Sequence, residues 1–102
     1  MWLIASFDLP VSTAEQRKNY LQFRKKKLEG EGFLPLQKSV YYRWCFSDQH
    51  ALSITESLRK ACPPEGSIFL LNFPEGVGNK AVYVKDAEEK SPLLKPEPYE
   101  LF

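Results

Sequence analysis

A chain of 102 residues is too short for two independent hydrophobic cores and reads as one domain with ragged ends. Hydrophobic residues at 43% and aromatics at 14% exclude global disorder. Fourteen Lys and Arg against thirteen Asp and Glu leave a net charge of +1, so any attraction to a polyanion must come from local clusters.

The run Trp2-Leu3-Ile4-Ala5-Ser6-Phe7 is almost wholly apolar and ends in Asp8-Leu9-Pro10, as expected of a central strand covered on both faces. A hydroxyl cap at Ser12 or Thr13, with Glu15 and Gln16 soon after, opens a basic helix over 13–29 that Gly30 and Gly32 close. Residues 33–37 and 39–46 are rich in aromatic and β-branched residues and form strands two and three, with Pro35 confining the former to an edge or a strand end. Ser47-Asp48 caps a second helix over 48–61, in which Ala51, Ile54, Leu58, Ala61 and Cys62 recur at helical spacing until Pro63-Pro64 stops it. Residues 67–73 form a fourth strand, a Pro-Glu-Gly-Val-Gly-Asn turn follows, and 81–84 suit a short fifth strand. Residues 85–102, with Pro92, Pro96 and Pro98 among Lys and Glu, read as a flexible tail whose terminal aromatics could dock on a partner.

This order, β-α-β-β-α-β with one extra short strand, is the ferredoxin-like α+β sandwich, with the domain proper over 1–84. Two helices cover one face of such a sheet. Strand one nevertheless places Trp2 and Ile4 on one side and Leu3, Ala5 and Phe7 on the other, while strand three divides Tyr41 from Tyr42 and Trp44. The helix-free face is too apolar for water, and a second copy about a two-fold axis is its simplest cover, so a homodimer is expected.

Asp8, where strand one runs out, is the leading chemical candidate; its alternative role is to shape the Asp-Leu-Pro turn. One carboxylate per chain is a weak hydrolase signal, but a two-fold axis beside strand one would pair two of them, and magnesium needs no more than one or two carboxylates. On helix one, Lys18 and Lys25 fall on the wet side. Positions 17, 21, 24 and 28 form a stripe in which Arg17 and Arg24 alternate with Leu21 and Leu28, so each arginine either snorkels to water or reaches Asp8 or a phosphate. Arg43 interleaves with Tyr41, Tyr42 and Trp44, with Gln37, Lys38 and Ser39 just before them, a pattern that serves phosphate tracking or, more ordinarily, a core or a dimer interface. His50, the single histidine, suits capping or exposure rather than catalysis. Cys45 and Cys62 form no CxxC pair, and both read as small buried hydrophobes. No run approaches the ~20 apolar residues of a membrane span, no signal-peptide pattern precedes strand one, and a reducing cytoplasm is the expected compartment.

The segments Trp2-Leu3-Ile4-Ala5-Ser6-Phe7-Asp8-Leu9-Pro10, the basic helix from Arg17, and Leu36-Gln37-Lys38-Ser39-Val40-Tyr41 together resemble the CRISPR-associated protein two family over about residues 1–84, most nearly its type II form. The resemblance implies a ferredoxin-like homodimer, its last strand often completing the partner's sheet. It implies bridging of CRISPR integrase subunits and binding of spacer DNA during spacer acquisition. It also implies metal-dependent endonuclease activity on RNA or double-stranded DNA with Mg2+ or Mn2+, Asp8 being the metal ligand and Arg17 and Tyr41 joining it in catalysis. Arg17, Arg24, Lys38 and Arg43 are the expected nucleic-acid contacts. Lys38 departs from the family by standing where an aromatic is usual, and the loop from Asp8 to Arg17 is longer than in compact members. A toxin-type ribonuclease of the same fold is the alternative, and a small-molecule regulatory domain a more distant one.

Overall fold

The structure, a computed structural model, describes residues 1–85 and 88–90. Strand β1 (Trp2–Asp8) lies inside a four-stranded sheet, antiparallel to β3 (Val40–Trp44) on one side and to β4 (Ser67–Phe73) on the other. Strand β2 (Leu34–Gln37) pairs beyond β3 and completes the order β2-β3-β1-β4. Pro35, which has no N–H to donate, is tolerated because β2 is an edge strand, and the register shifts between it and Gln37.

Helices α1 (Ala14–Leu21) and α2 (Asp48–Ala61) cover one face. Thr13 starts α1 with a complete capping box: its hydroxyl accepts the Gln16 N–H at 3.1 Å and the Gln16 amide oxygen accepts the Thr13 N–H at 3.1 Å. Ser47 does the same work for α2 by accepting the His50 N–H at 3.1 Å. Cys62, the residue after α2, is extended because Pro63 forbids another helical turn. Leu3, Ala5 and Phe7 of β1 and Tyr41 of β3 pack against Tyr20, Phe23 and Leu28 from the first helix and Ala51, Ile54 and Leu58 from the second. This is the ferredoxin-like arrangement expected from the sequence.

The first helix is not α-helical to its end. From Gln22 to Leu28 it winds as a π-helix, closed by the Glu29 N–H donating to the Arg24 carbonyl at 3.2 Å. The cause lies in the apolar spacing. Phe23 and Leu28 are both core residues but stand five apart, so a regular α-turn would aim Lys27 where Leu28 must go. The expected stripe of Arg17, Leu21, Arg24 and Leu28 assumed α-geometry and is corrected accordingly: Leu21 is 52% exposed, and the buried side is Tyr20, Phe23 and Leu28. Gly30 ends the segment where a Cβ would meet the Lys26 carbonyl oxygen at 2.2 Å, an approach that no other residue permits.

The opposite face carries Trp2, Ile4, Ser6 and Asp8 from β1, opposite Tyr42 and Trp44 of β3 and Phe69, Leu71 and Phe73 of β4. It is apolar, as the alternation demands, but not wholly open. The turn expected after strand four is a short helix, α3 (Glu75–Gly78), that folds back over Trp2. Trp2 is thereby buried with Tyr42, and Ile4, Leu36, Trp44, Phe73 and Ala81 pack around them. The remainder of the face, with Phe69 64% exposed, Leu34 53% and Leu71 48%, has no cover among the described residues. Strand β5 (Tyr83–Lys85), shifted from the expected 81–84, pairs with β6 (Glu88–Lys90) in a separate two-stranded sheet. The rest of the 85–102 segment lies outside the described residues.

Candidate nuclease site

Asp8 ends β1 opposite Ser67, the first residue of β4. Its side chain is exposed, and it makes no hydrogen bond or ion pair among the described residues, although Asp and Glu at strand ends commonly bind nearby backbone amides. With Ser6, Phe7, Ser67, Ile68 and Phe69 it lines an open depression of about 410 Å³. A free carboxylate between two hydroxyls is a hard-oxygen donor set of the kind that suits a magnesium ion, which takes few protein ligands and keeps most of its waters. No cluster of three or more His, Cys, Asp or Glu side chains that could hold a metal occurs among the described residues.

The other expected catalytic residues do not join Asp8 within the chain. Arg17, exposed in the first turn of α1, donates through Nη1 to the carbonyls of Val11 and Ser12, at 3.3 Å each. It therefore braces the loop leading out of β1 rather than pairing with the carboxylate. Tyr41 is buried on the helix-covered face, whereas strand alternation puts Asp8 on the other. Its hydroxyl accepts a 3.1 Å bond from Arg24 Nε, and the Arg24 guanidinium lies 5.6 Å from the Tyr20 ring centroid. The Tyr41 bond holds Arg24 protonated more firmly than usual, outweighing its partial burial.

The two remaining expected nucleic-acid contacts differ in availability. Lys38 is exposed in the turn between β2 and β3. Arg43 is half-buried: its Nε donates to the Trp44 carbonyl at 2.9 Å and its Nη1 to the Glu31 carbonyl, tying β3 to the loop after the first helix. Its charge there holds structure together. His50 caps, as expected of it: Nδ1 accepts the Phe46 N–H at 3.1 Å and the two rings stack 4.7 Å apart. Cys45 is buried, as expected, but Cys62 is half-exposed at the end of α2, and burial pushes both thiols up.

The geometry is thus an unpaired carboxylate at the edge of an uncovered apolar sheet face, on a ferredoxin-like domain. The sequence matches the family described as CRISPR associated protein Cas2 over residues 1–80. The chain belongs to the CRISPR-associated protein Cas2 family. A relative from Parvibaculum lavamentivorans, named CRISPR-associated endoribonuclease Cas2, is 40% identical over 85 residues, covering 82% of this chain and 83% of its own. One of the same name from Treponema denticola is 43% identical over 75 residues, 74% of this chain and 73% of its own. One from Paracidovorax avenae is 29% identical over 102 residues, all of this chain and 94% of its own. Among solved structures, Streptococcus pyogenes Cas2 at pH 6.5 superposes with a TM-score of 0.64 at 15% identity, over 83% of this chain and 100% of that one, a likeness of fold. No helix among the described residues is long and apolar enough to cross a membrane.

Two features of the structure, one at the Asp8 depression and one on the helical layer across the sheet from it, escaped sequence reasoning. Ser67 enters it through register alone, as the residue opposite Asp8, and Gly66 before it was the available signal. The Lys27, Ser57 and Glu31 cluster joins residues up to thirty apart and had no motif to announce it. Lys27 Nζ donates to Ser57 Oγ at 2.6 Å, Ser57 donates to Glu31 Oε1 at 2.6 Å, and Lys27 reaches the same oxygen at 2.9 Å. Partial burial raises the Glu31 carboxyl, but the Ser57 and Lys27 contacts outweigh it and hold the group below its ordinary value.

Proposed function

We propose that this chain works as a homodimer joined through the uncovered part of its sheet face, that it cleaves phosphodiester bonds in RNA or duplex DNA, and that it binds spacer DNA and bridges integrase subunits during spacer acquisition. The observation that carries the reading is the unpaired Asp8 carboxylate at the border of exposed Phe69 and Leu71, since covering that face with a second copy brings two carboxylates toward one axis. Support for the chemistry comes from relatives whose names describe endoribonucleases.

In this reading the two Asp8 carboxylates would hold a divalent metal, Mg2+ or Mn2+, with Ser6 and Ser67 as neighbouring hydroxyls. Bound there, such an ion would supply an activated water and offset charge on the scissile phosphate. Arg17 keeps the β1-to-α1 loop in place beside the carboxylate. Lys38 and Arg17 meet backbone phosphates without reading sequence, while Arg24 and Arg43 contribute charge from positions fixed by Tyr41, Glu31 and Trp44.

The test is cleavage of duplex DNA and RNA, with and without magnesium, by wild type and by Asp8→Asn. The variant is expected to lose cleavage by at least roughly a hundredfold while keeping dimerisation and nucleic-acid binding. Unchanged cleavage by Asp8→Asn removes the enzymatic reading and leaves the bridging one, which a pull-down with the integrase then decides.

A further inference from the structure

The π-helix has a consequence on the outer surface of the helical layer, on the other side of the sheet from Asp8. Placing Phe23 and Leu28 in the core five residues apart leaves four consecutive cations, Arg24 to Lys27, between two apolar anchors. Arg24 is held on Tyr41 and Lys25 pairs with Glu29 at 3.5 Å, while Lys27 is locked by Ser57 and Glu31. Lys26 is exposed and pairs with no carboxylate among the described residues. It overlooks a groove of about 520 Å³ between the π segment, which lines it with Gln22 and Lys27 beside Asn19, and the end of α2, which lines it with the apolar run Ala61 to Pro64. A second hollow of about 440 Å³ shares Lys27 and Ala61 with it and adds Lys60, Ser53 and Glu56. Lys60 is likewise exposed and unpaired among the described residues, and the one carboxylate in the lining, Glu56, is taken up by Arg59 at 3.3 Å.

We propose that this double hollow is a second nucleic-acid contact, in which Lys26 and Lys60 grip the phosphate backbone of a duplex, and that the π-turn exists to push Lys26 out over it. The identity of the polyanion rests on the phosphodiester reading above. The lining itself favours a backbone over an acidic protein: lysine ammoniums with Asn, Gln and Ser side chains are the contact set of phosphates, while lysine is depleted in protein interfaces. Among the described residues the hollow also has no exposed aromatic or branched aliphatic anchor: Phe23 is buried, and its apolar wall, Ala61 to Pro64, offers only small or cyclic side chains. A π-turn is a strained insertion that survives where its surroundings over-determine it, and here Gly30, the Lys27–Ser57–Glu31 lock and the Arg43 bond to the Glu31 carbonyl do so.

The geometry yields an unusual variant. Deleting Lys26 sets Phe23 and Leu28 four apart, the α-helical spacing, so the helix should regularise, keep its core and lose the ledge. Binding of a short blunt duplex DNA is measured as a function of salt for wild type, the Lys26 deletion, the double variant Lys26→Gln with Lys60→Gln, and Lys18→Gln as an exposed control outside the groove. The double variant should bind about two- to thirtyfold more weakly, the range spanned by two exposed ion pairs. Its salt slope should shrink by about 2, since each phosphate that a lysine no longer neutralises takes about 0.9 off the slope. The deletion should retain wild-type thermal stability or exceed it while its slope falls by about one unit, and Lys18→Gln should match wild type. Wild-type slope and affinity in the double variant overturn this site alone, and do so whether or not the deletion folds. Failure of the wild-type protein to bind any duplex overturns the phosphodiester reading and this site together.

Discussion

Replacing Phe69 with alanine removes the largest exposed apolar side chain on the uncovered sheet face, and it does so without touching the monomer's core. Burying a whole phenylalanine side chain is worth about 3 kcal/mol, and Phe69 keeps 64% of its surface in the isolated chain, so about 2 kcal/mol awaits a partner. A two-fold interface uses each residue twice, and alanine retains part of the area, which leaves about 3 kcal/mol lost per dimer. At about 1.4 kcal/mol per factor of ten, the dimer Kd should rise by roughly two orders of magnitude. Sedimentation equilibrium over a range of protein concentrations measures this, beside a thermal melt in which Phe69→Ala should match wild type. Phe46→Ala is the control, because Phe46 is 57% exposed but stacks on His50 in the loop before α2. A Phe69→Ala protein that self-associates with the wild-type Kd refutes dimerisation through this face.

Gly78→Ala should destabilise the fold by about 1–3 kcal/mol, read from chemical denaturation, because the new methyl would lie 2.3 Å from Trp2 Cδ1 and must force α3 off the indole. Since α3 shields one end of the sheet face, the same variant should also expose Trp2, visible as a red shift of tryptophan emission. Acid should weaken the protein through His50. Burial, with the Arg43 charge behind it, holds the imidazole below its ordinary 6.5, so the folded chain binds fewer protons there than the unfolded one. That contribution is complete above pH 6.5 and is lost as pH falls through the folded value; His50→Gln, whose amide oxygen can still accept the Phe46 N–H, should flatten stability against pH in that window. A variant that keeps the wild-type pH profile assigns the acid sensitivity elsewhere.

Most of the fold could be read from the sequence because its signals are local. Thr13 with Gln16 and Ser47 before His50 are caps that specify their own helices, Pro63-Pro64 ends the second, and the alternation in Trp2–Phe7 sorted both faces of the central strand correctly. The first helix misled because period counting assumes about 3.6 residues per turn and grouped Leu21 with Leu28, whereas Tyr20 and Phe23 set the buried side, Leu21 faces water, and a π-turn brings Leu28 into line with Phe23. Asp8 was identifiable as a carboxylate where a strand ends, but its separation from Tyr41 by the thickness of the sheet was fixed by strand parity. The hydrogen bonds that occupy Arg24 and Arg43 are long-range, and nothing in the local sequence around either arginine announces Tyr41 or the Glu31 carbonyl. Shielding of Trp2 by α3 was hidden for the same reason, since it depends on Gly78 reaching back across the sheet.

If the site exists only where two copies meet, catalysis must follow assembly. Specific cleavage activity measured during serial dilution, alongside the dimer fraction from sedimentation at the same concentrations, should fall in step with dimer through a shared midpoint. Full activity per chain in a protein diluted to monomer would contradict a shared Asp8 site outright.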